Sequence, residues 1–105
     1  MISFTDAPEI NIDEEVVATG EDYDANLKCT VHAEPKATVQ WLKNNEPLSP
    51  SEHVQFPQHG HVYSLDIKKV KKEDFAKYIC RANNSLGTEM SKAIELTGMY
   101  SYEIN

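Results

Sequence analysis

Apolar side chains in this chain recur at every second position, a period that leaves little room for anything but β-structure. Leu27, Cys29, Val31 and Ala33 alternate with Lys28, Thr30, His32 and Glu34. In an extended chain this places one set on a buried face and the other in water. The alternation returns in Val39 and Trp41 against Thr38, Gln40 and Leu42, in Tyr63, Leu65 and Ile67, in Ala76, Tyr78, Cys80 and Ala82, and in Met90, Ile94 and Leu96. These five segments are expected strands. Shorter strands are expected at residues 9–12, 16–19 and 54–56, and one helical turn at 69–75. Turn-forming residues separate them at 34–35, 44–45, 47–51, 58–60 and 83–87. Short strands spaced by turns in this way predict an antiparallel sandwich or barrel.

A chain of 105 residues suffices for one domain with a single core. Its net charge of −7 disfavours nucleic acid and anionic lipid as partners. No apolar run is long enough for a membrane span. The opening MISFTDAPEI lacks the basic and apolar regions of a secretory leader. Two expectations follow: a complete intracellular protein, or a domain excised from a longer secreted one. Residues 1–7 and 98–105 are expected to be linker or tail around a domain at 8–97.

The two cysteines, Cys29 and Cys80, both fall on inward positions of expected strands, among Leu, Val, Ala and Tyr. A reactive or metal-binding thiol more often stands near His or acidic residues in a loop. Two strands on facing sheets can bring such cysteines within bridging distance, so a disulfide is the favoured reading. Closing so long a loop contributes about 4 kcal/mol in the chain-entropy account.

Cys29, Trp41 and the run Asp74-x-Ala76-x-Tyr78-x-Cys80 resemble the immunoglobulin signature of inter-sheet cystine, packed tryptophan and tyrosine corner. CRANNSLG, with Asn83 and Gly87, and AEPKATVQWLKNNEPL resemble its I-set branch. The resemblance implies an all-β, immunoglobulin-like antiparallel β-sandwich of two sheets with Greek-key connections. It also implies that Asn83 turns inward to bond the backbone of the following hairpin. Asn44-Asn45 stands where the family often has Asp-Gly, and Asn tolerates the left-handed backbone that such a turn needs. Asp74 often pairs with an arginine in this family, and here the nearest candidate is His53, which would make the contact weaker and pH-dependent.

No nucleophile, base and orienting group assemble at a recognisable spacing, and no phosphate-binding glycine loop is present, so catalysis and cofactors are not expected. His59-Gly60-His61 is read as turn residues rather than a metal site. Lys68, Lys69, Lys71 and Lys72 have the density of a polyanion site, such as one for a glycosaminoglycan. A solvated crossover, partly offset by Glu73 and Asp74, is the preferred reading. Asn83-Asn84-Ser85 is an N-glycosylation sequon, used only in a secreted chain. Leu42 and Ile79 alternate out of phase with Trp41 and Cys80, so both are expected to face solvent beside Gln40 and Arg81, as a candidate protein contact.

LDIKKVKKEDFAKYICRANNSLG followed by AIELTG is similar to neuronal and epithelial adhesion molecules of the lachesin and neurotrimin kind. The resemblance implies a non-catalytic recognition or spacer module at the cell surface. Its partner would be another protein, including the same protein on an opposing cell, or a second copy in a weak homodimer. The alternative is an intracellular sarcomeric or cytoskeletal I-set unit of the titin or myosin-light-chain-kinase kind, with reduced thiols.

Overall fold

The computed structural model describes residues 6–85 and 89–99, with side chains from residue 8 onward. The first five residues of the expected N-terminal tail, residues 100–105 of the C-terminal one and Gly87 lie outside the described residues. Among the described residues, ten strands form two sheets. β1 (Asp6–Asn11), β3 (Ala25–Glu34), β8 (Val62–Ile67) and β6 (Val54–Gln55) lie side by side in the first, with β7 (Gln58–His59) also paired to β8. The second runs in the order β2 (Val16–Thr19), β10 (Glu89–Gly98), β9 (Ala76–Asn83), β4 (Thr38–Lys43) and β5 (Glu46–Pro47). All pairs are antiparallel except β2 with β10. Of the sandwich or barrel expected from the alternation, the all-β sandwich that the resemblance implies is the observed architecture.

Local chemistry explains the turns. Asn44 and Asn45 both take left-handed backbone, φ 50° and 70°, closing a two-residue hairpin between paired Lys43 and Glu46. This is the I′ geometry that matches strand twist, and asparagine is among the few residues that enter it readily. Gly60, at φ 60°, opens the turn between paired His59 and Val62. Open space surrounds the position of a Cβ there, so backbone conformation alone favours glycine.

The core lies between the sheets. Ile10, Leu27, Cys29, Val31, Leu65 and Ile67 from the first meet Trp41, Tyr78, Cys80, Ala82, Ile94 and Leu96 from the second. Two expectations change in extent. The helical turn shortens to the 3-10 turn Lys72–Asp74, because Lys69 is left-handed at φ 52° and the backbone groups of Val70 are taken up by bonds with Asp22 and Tyr23, both 2.8 Å. Met90, expected on the inward face, is 41% exposed. Residues 89–93 are all exposed, and burial on the inward parity of β10 begins at Ile94.

Candidate functional site

β4 and β9 pair in register, with Trp41 opposite Cys80, Leu42 opposite Ile79 and Gln40 opposite Arg81. Because successive side chains point to opposite faces, these strands carry one inward and one outward constellation.

The inward one is structural. Cys29 and Cys80 are joined by a disulfide across the sheets, with Cα atoms 6.6 Å apart and a sequence separation of 51. Trp41, 3% exposed, is the cross-strand neighbour of Cys80. The Tyr78 hydroxyl donates to the carbonyl of Asp74 at 2.6 Å. Burial first, and the nearby Asp74 charge second, push the Tyr78 pKa above its ordinary value, because both oppose a phenolate. The buried Asp74 carboxylate accepts from the Lys71 backbone N–H at 2.8 Å, while its own N–H donates to the Lys71 carbonyl at 2.9 Å. His53 Nε2 completes the group, 2.8 Å from Asp74 Oδ2, as the partner expected for Asp74. His53 is placed there by its carbonyl, which accepts from Lys68 N–H at 2.8 Å.

The outward constellation differs from expectation at Leu42. It is 5% exposed rather than solvent-facing, yet it is not among the residues of the inter-sheet core. The reason is a row across four strands: Ala93 lies opposite Ile79, Ile79 opposite Leu42, and Leu42 opposite Pro47. Flanked by apolar neighbours on both sides, Leu42 loses its water, and Ile79 is left half-buried. One row along, Arg81 is held from two sides. Its guanidinium donates to Gln40 Oε1 at 2.5 Å, and its Nε lies 3.9 Å from Glu89 Oε2. Gln40 and Glu89 are exposed, and Arg81 is partly so.

Asn83 also departs from expectation. Its side chain is exposed, and Asn84 is the buried residue, 6% exposed. On β9 the even positions Tyr78, Cys80 and Ala82 point inward, and Asn84 continues that parity.

Of the four lysines, Lys68 pairs with Asp24 at 3.6 Å, and the Lys69 backbone N–H donates to Asp24 at 3.0 Å. These contacts, the Lys69 bond foremost, lower the pKa of the exposed Asp24 carboxyl. Asp24 and Glu52 line the same shallow depression as Lys68, Lys69 and Lys71, so carboxylates are interleaved with the cations. His61 of the His-Gly-His turn has its ring centroid 4.4 Å from that of His32, tilted by 40°, and places Nδ1 3.1 Å from the Val31 carbonyl. Among the described residues, no three or more His, Cys, Asp or Glu side chains form a group able to hold a metal. No described helix is long and apolar enough to cross a membrane.

Comparison with known proteins gives a consistent family and a divided set of relatives. The model of the immunoglobulin I-set domain matches residues 8–97. Transmembrane and immunoglobulin domain-containing protein 1 of Bos taurus is 39% identical over 66% of this chain and 26% of its own length. The titin homolog of Caenorhabditis elegans is 36% identical over 76% of this chain and, rounded, 0% of its own length. Among solved structures, the complex of Dpr2 Ig1-Ig2 with DIP-Theta Ig1-Ig3 contains a chain that superposes with a TM-score of 0.78 and 29% identity, over 90% of this chain and 33% of that one. This chain spans about a quarter or less of the curated relatives it matches.

Proposed function

This chain belongs to the immunoglobulin I-set family, and from that premise we propose that it is a non-catalytic protein-recognition module of a cell-surface adhesion protein. It binds through the outward face of β4, β9 and β10. The observation that carries the proposal is Arg81, an accessible cation held between Gln40 and Glu89 beside the apolar row of Ala93, Ile79 and Leu42. An arginine already fixed by neighbours loses little side-chain freedom on contact, and arginine next to apolar surface is favoured at the energetic centre of interfaces. The partner is a protein, either the same chain on an opposing cell or a different surface protein. An oxidised Cys29–Cys80 pair suits an extracellular setting, and the likeness to a chain in the Dpr2–DIP-Theta complex supports recognition of another immunoglobulin domain.

The similarity to the titin homolog favours a second reading, an intracellular I-set unit acting as a scaffold or mechanical element. There Cys29 and Cys80 would be thiols. The lysine crossover takes the role of a solvated face in either setting, since Asp24 and Glu52 offset it.

The test is to display the chain at high density on beads and score bead clustering and binding to intact cells, with Arg81→Glu alongside. The adhesion reading expects clustering or cell binding that the variant loses. Equal behaviour of the two proteins would overturn the outward face as the contact surface.

A further inference from the structure

The chain contains one N-x-S/T sequence, Asn83-Asn84-Ser85, and the structure resolves the competition between its two asparagines. Asn84 turns inward and is buried. Asn83, the acceptor position, is the last residue of β9 and its side chain is exposed, as is Ser85. Oligosaccharide transfer takes place on an extended, unfolded sequon, so folding must afterwards leave the sugar a path to solvent. An inward Asn83 would have blocked it, and the observed parity provides it.

We infer that Asn83 carries an N-linked oligosaccharide that stands over the outward face of β9 and screens Arg81. This rests on the extracellular reading above. In the transfer step the Asn83 amide nitrogen loses a proton and bonds to the anomeric carbon of a lipid-pyrophosphate-linked oligosaccharide. The anomeric carbon–oxygen bond breaks, and the lipid pyrophosphate leaves with the electron pair. No redox change is involved.

Geometry decides what the sugar covers. Asn83, Arg81 and Ile79 share one parity on β9, so they share the outward face. Asn83 stands in register with Thr38 and Glu89, and Arg81 with Gln40 and Ser91. Asn83 lies two positions along the strand from Arg81, about 6.7 Å, so even the first sugar residues lie within reach of the guanidinium. Glu89, which holds Arg81 from one side, is directly opposite the acceptor. The glycan therefore limits approach to the Arg81 end of the face, while the row of Ile79 and Leu42, two residues further along, stays open.

The test uses the chain secreted from a eukaryotic host behind a cleavable leader, with Asn83→Gln and Ser85→Ala beside it. Ser85→Ala removes the sequon and leaves Asn83 in place, which guards against a folding fault in the first variant. The tryptic peptide 82–92 is expected to carry N-acetylhexosamine and hexose, to lose them on amidase treatment with conversion of Asn83 to aspartate, and to be unmodified in both variants. A protein with its disulfide formed and peptide 82–92 bare overturns the glycan and leaves the adhesion reading standing. In the bead assay, Ser85→Ala is expected to cluster or bind cells at several-fold lower surface density than the glycosylated chain. Identical thresholds overturn the screening. An Arg81→Glu change without effect in the Ser85→Ala background instead overturns the outward face as the contact surface, whatever the state of Asn83.

Discussion

The two faces of β4 and β9 are made by the same residues' backbone and the same ladder, yet they follow different rules. Inward, Trp41, Tyr78, Cys80 and Ala82 are all buried and each has a fixed partner: the facing sheet, the Asp74 carbonyl, or Cys29. Outward, Gln40, Leu42, Ile79, Arg81 and Asn83 range from buried to exposed, and their polar contacts are with one another or with Glu89 at the surface. The first face holds the sheets together. The second is held in shape by that framework and is free to vary in chemistry. In an immunoglobulin sandwich, stability and specificity can thus be carried by alternate residues of a single strand.

The separation of roles breaks or sharpens under a graded series of changes. Trp41→Ala, which removes the largest inward side chain of β4, is expected to destabilise by about 3–5 kcal/mol, read by denaturant unfolding. Replacing Cys29 and Cys80 together by alanine is expected to lower stability by about 4 kcal/mol, read by comparing unfolding midpoints of the double variant and the oxidised chain. Tyr78→Phe leaves the Asp74 carbonyl without its buried donor, for about 1–3 kcal/mol. That variant also carries a pH signature. The folded pKa of Tyr78 lies above the ordinary 10.0, so the stability that depends on its neutral form is complete below that value and declines as pH rises past it. The phenylalanine variant should therefore show a shallower alkaline loss than the parent chain. Smallest, Arg81→Ala is expected to stay within about 0.5 kcal/mol of the parent, as its contacts are surface ones, while weakening recognition.

Much of this contrast is legible in the sequence because period-two alternation reports burial directly. It marks β3, β4, β8 and β9 and puts Cys29, Trp41, Tyr78 and Cys80 on the buried side. The alternation speaks for only one face, which is why Leu42 reads as exposed: its cover comes from Ile79 and Pro47 on neighbouring strands, and strand pairing is not written in the local pattern. The Asn83/Asn84 reversal is different, since the signal was present. Extending the inward parity of Tyr78, Cys80 and Ala82 by one step reaches Asn84, whereas the family motif puts the inward asparagine one residue earlier, at Asn83. What offsets the lysine run is only partly legible, for want of long-range information: Glu73 and Asp74 stand beside it in the sequence, whereas Asp24, which binds both Lys68 and the Lys69 backbone, lies more than forty residues away. His53 beside Asp74, by contrast, follows from asking which residue could fill the place of the family's arginine.

Arg81→Glu in the unglycosylated Ser85→Ala background, measured at once for unfolding free energy and for bead clustering or cell binding, tests the division between the faces most directly. The account predicts a stability within about 0.5 kcal/mol of the Ser85→Ala parent together with loss of binding. Binding that persists, or destabilisation on the scale of Trp41→Ala, would contradict it.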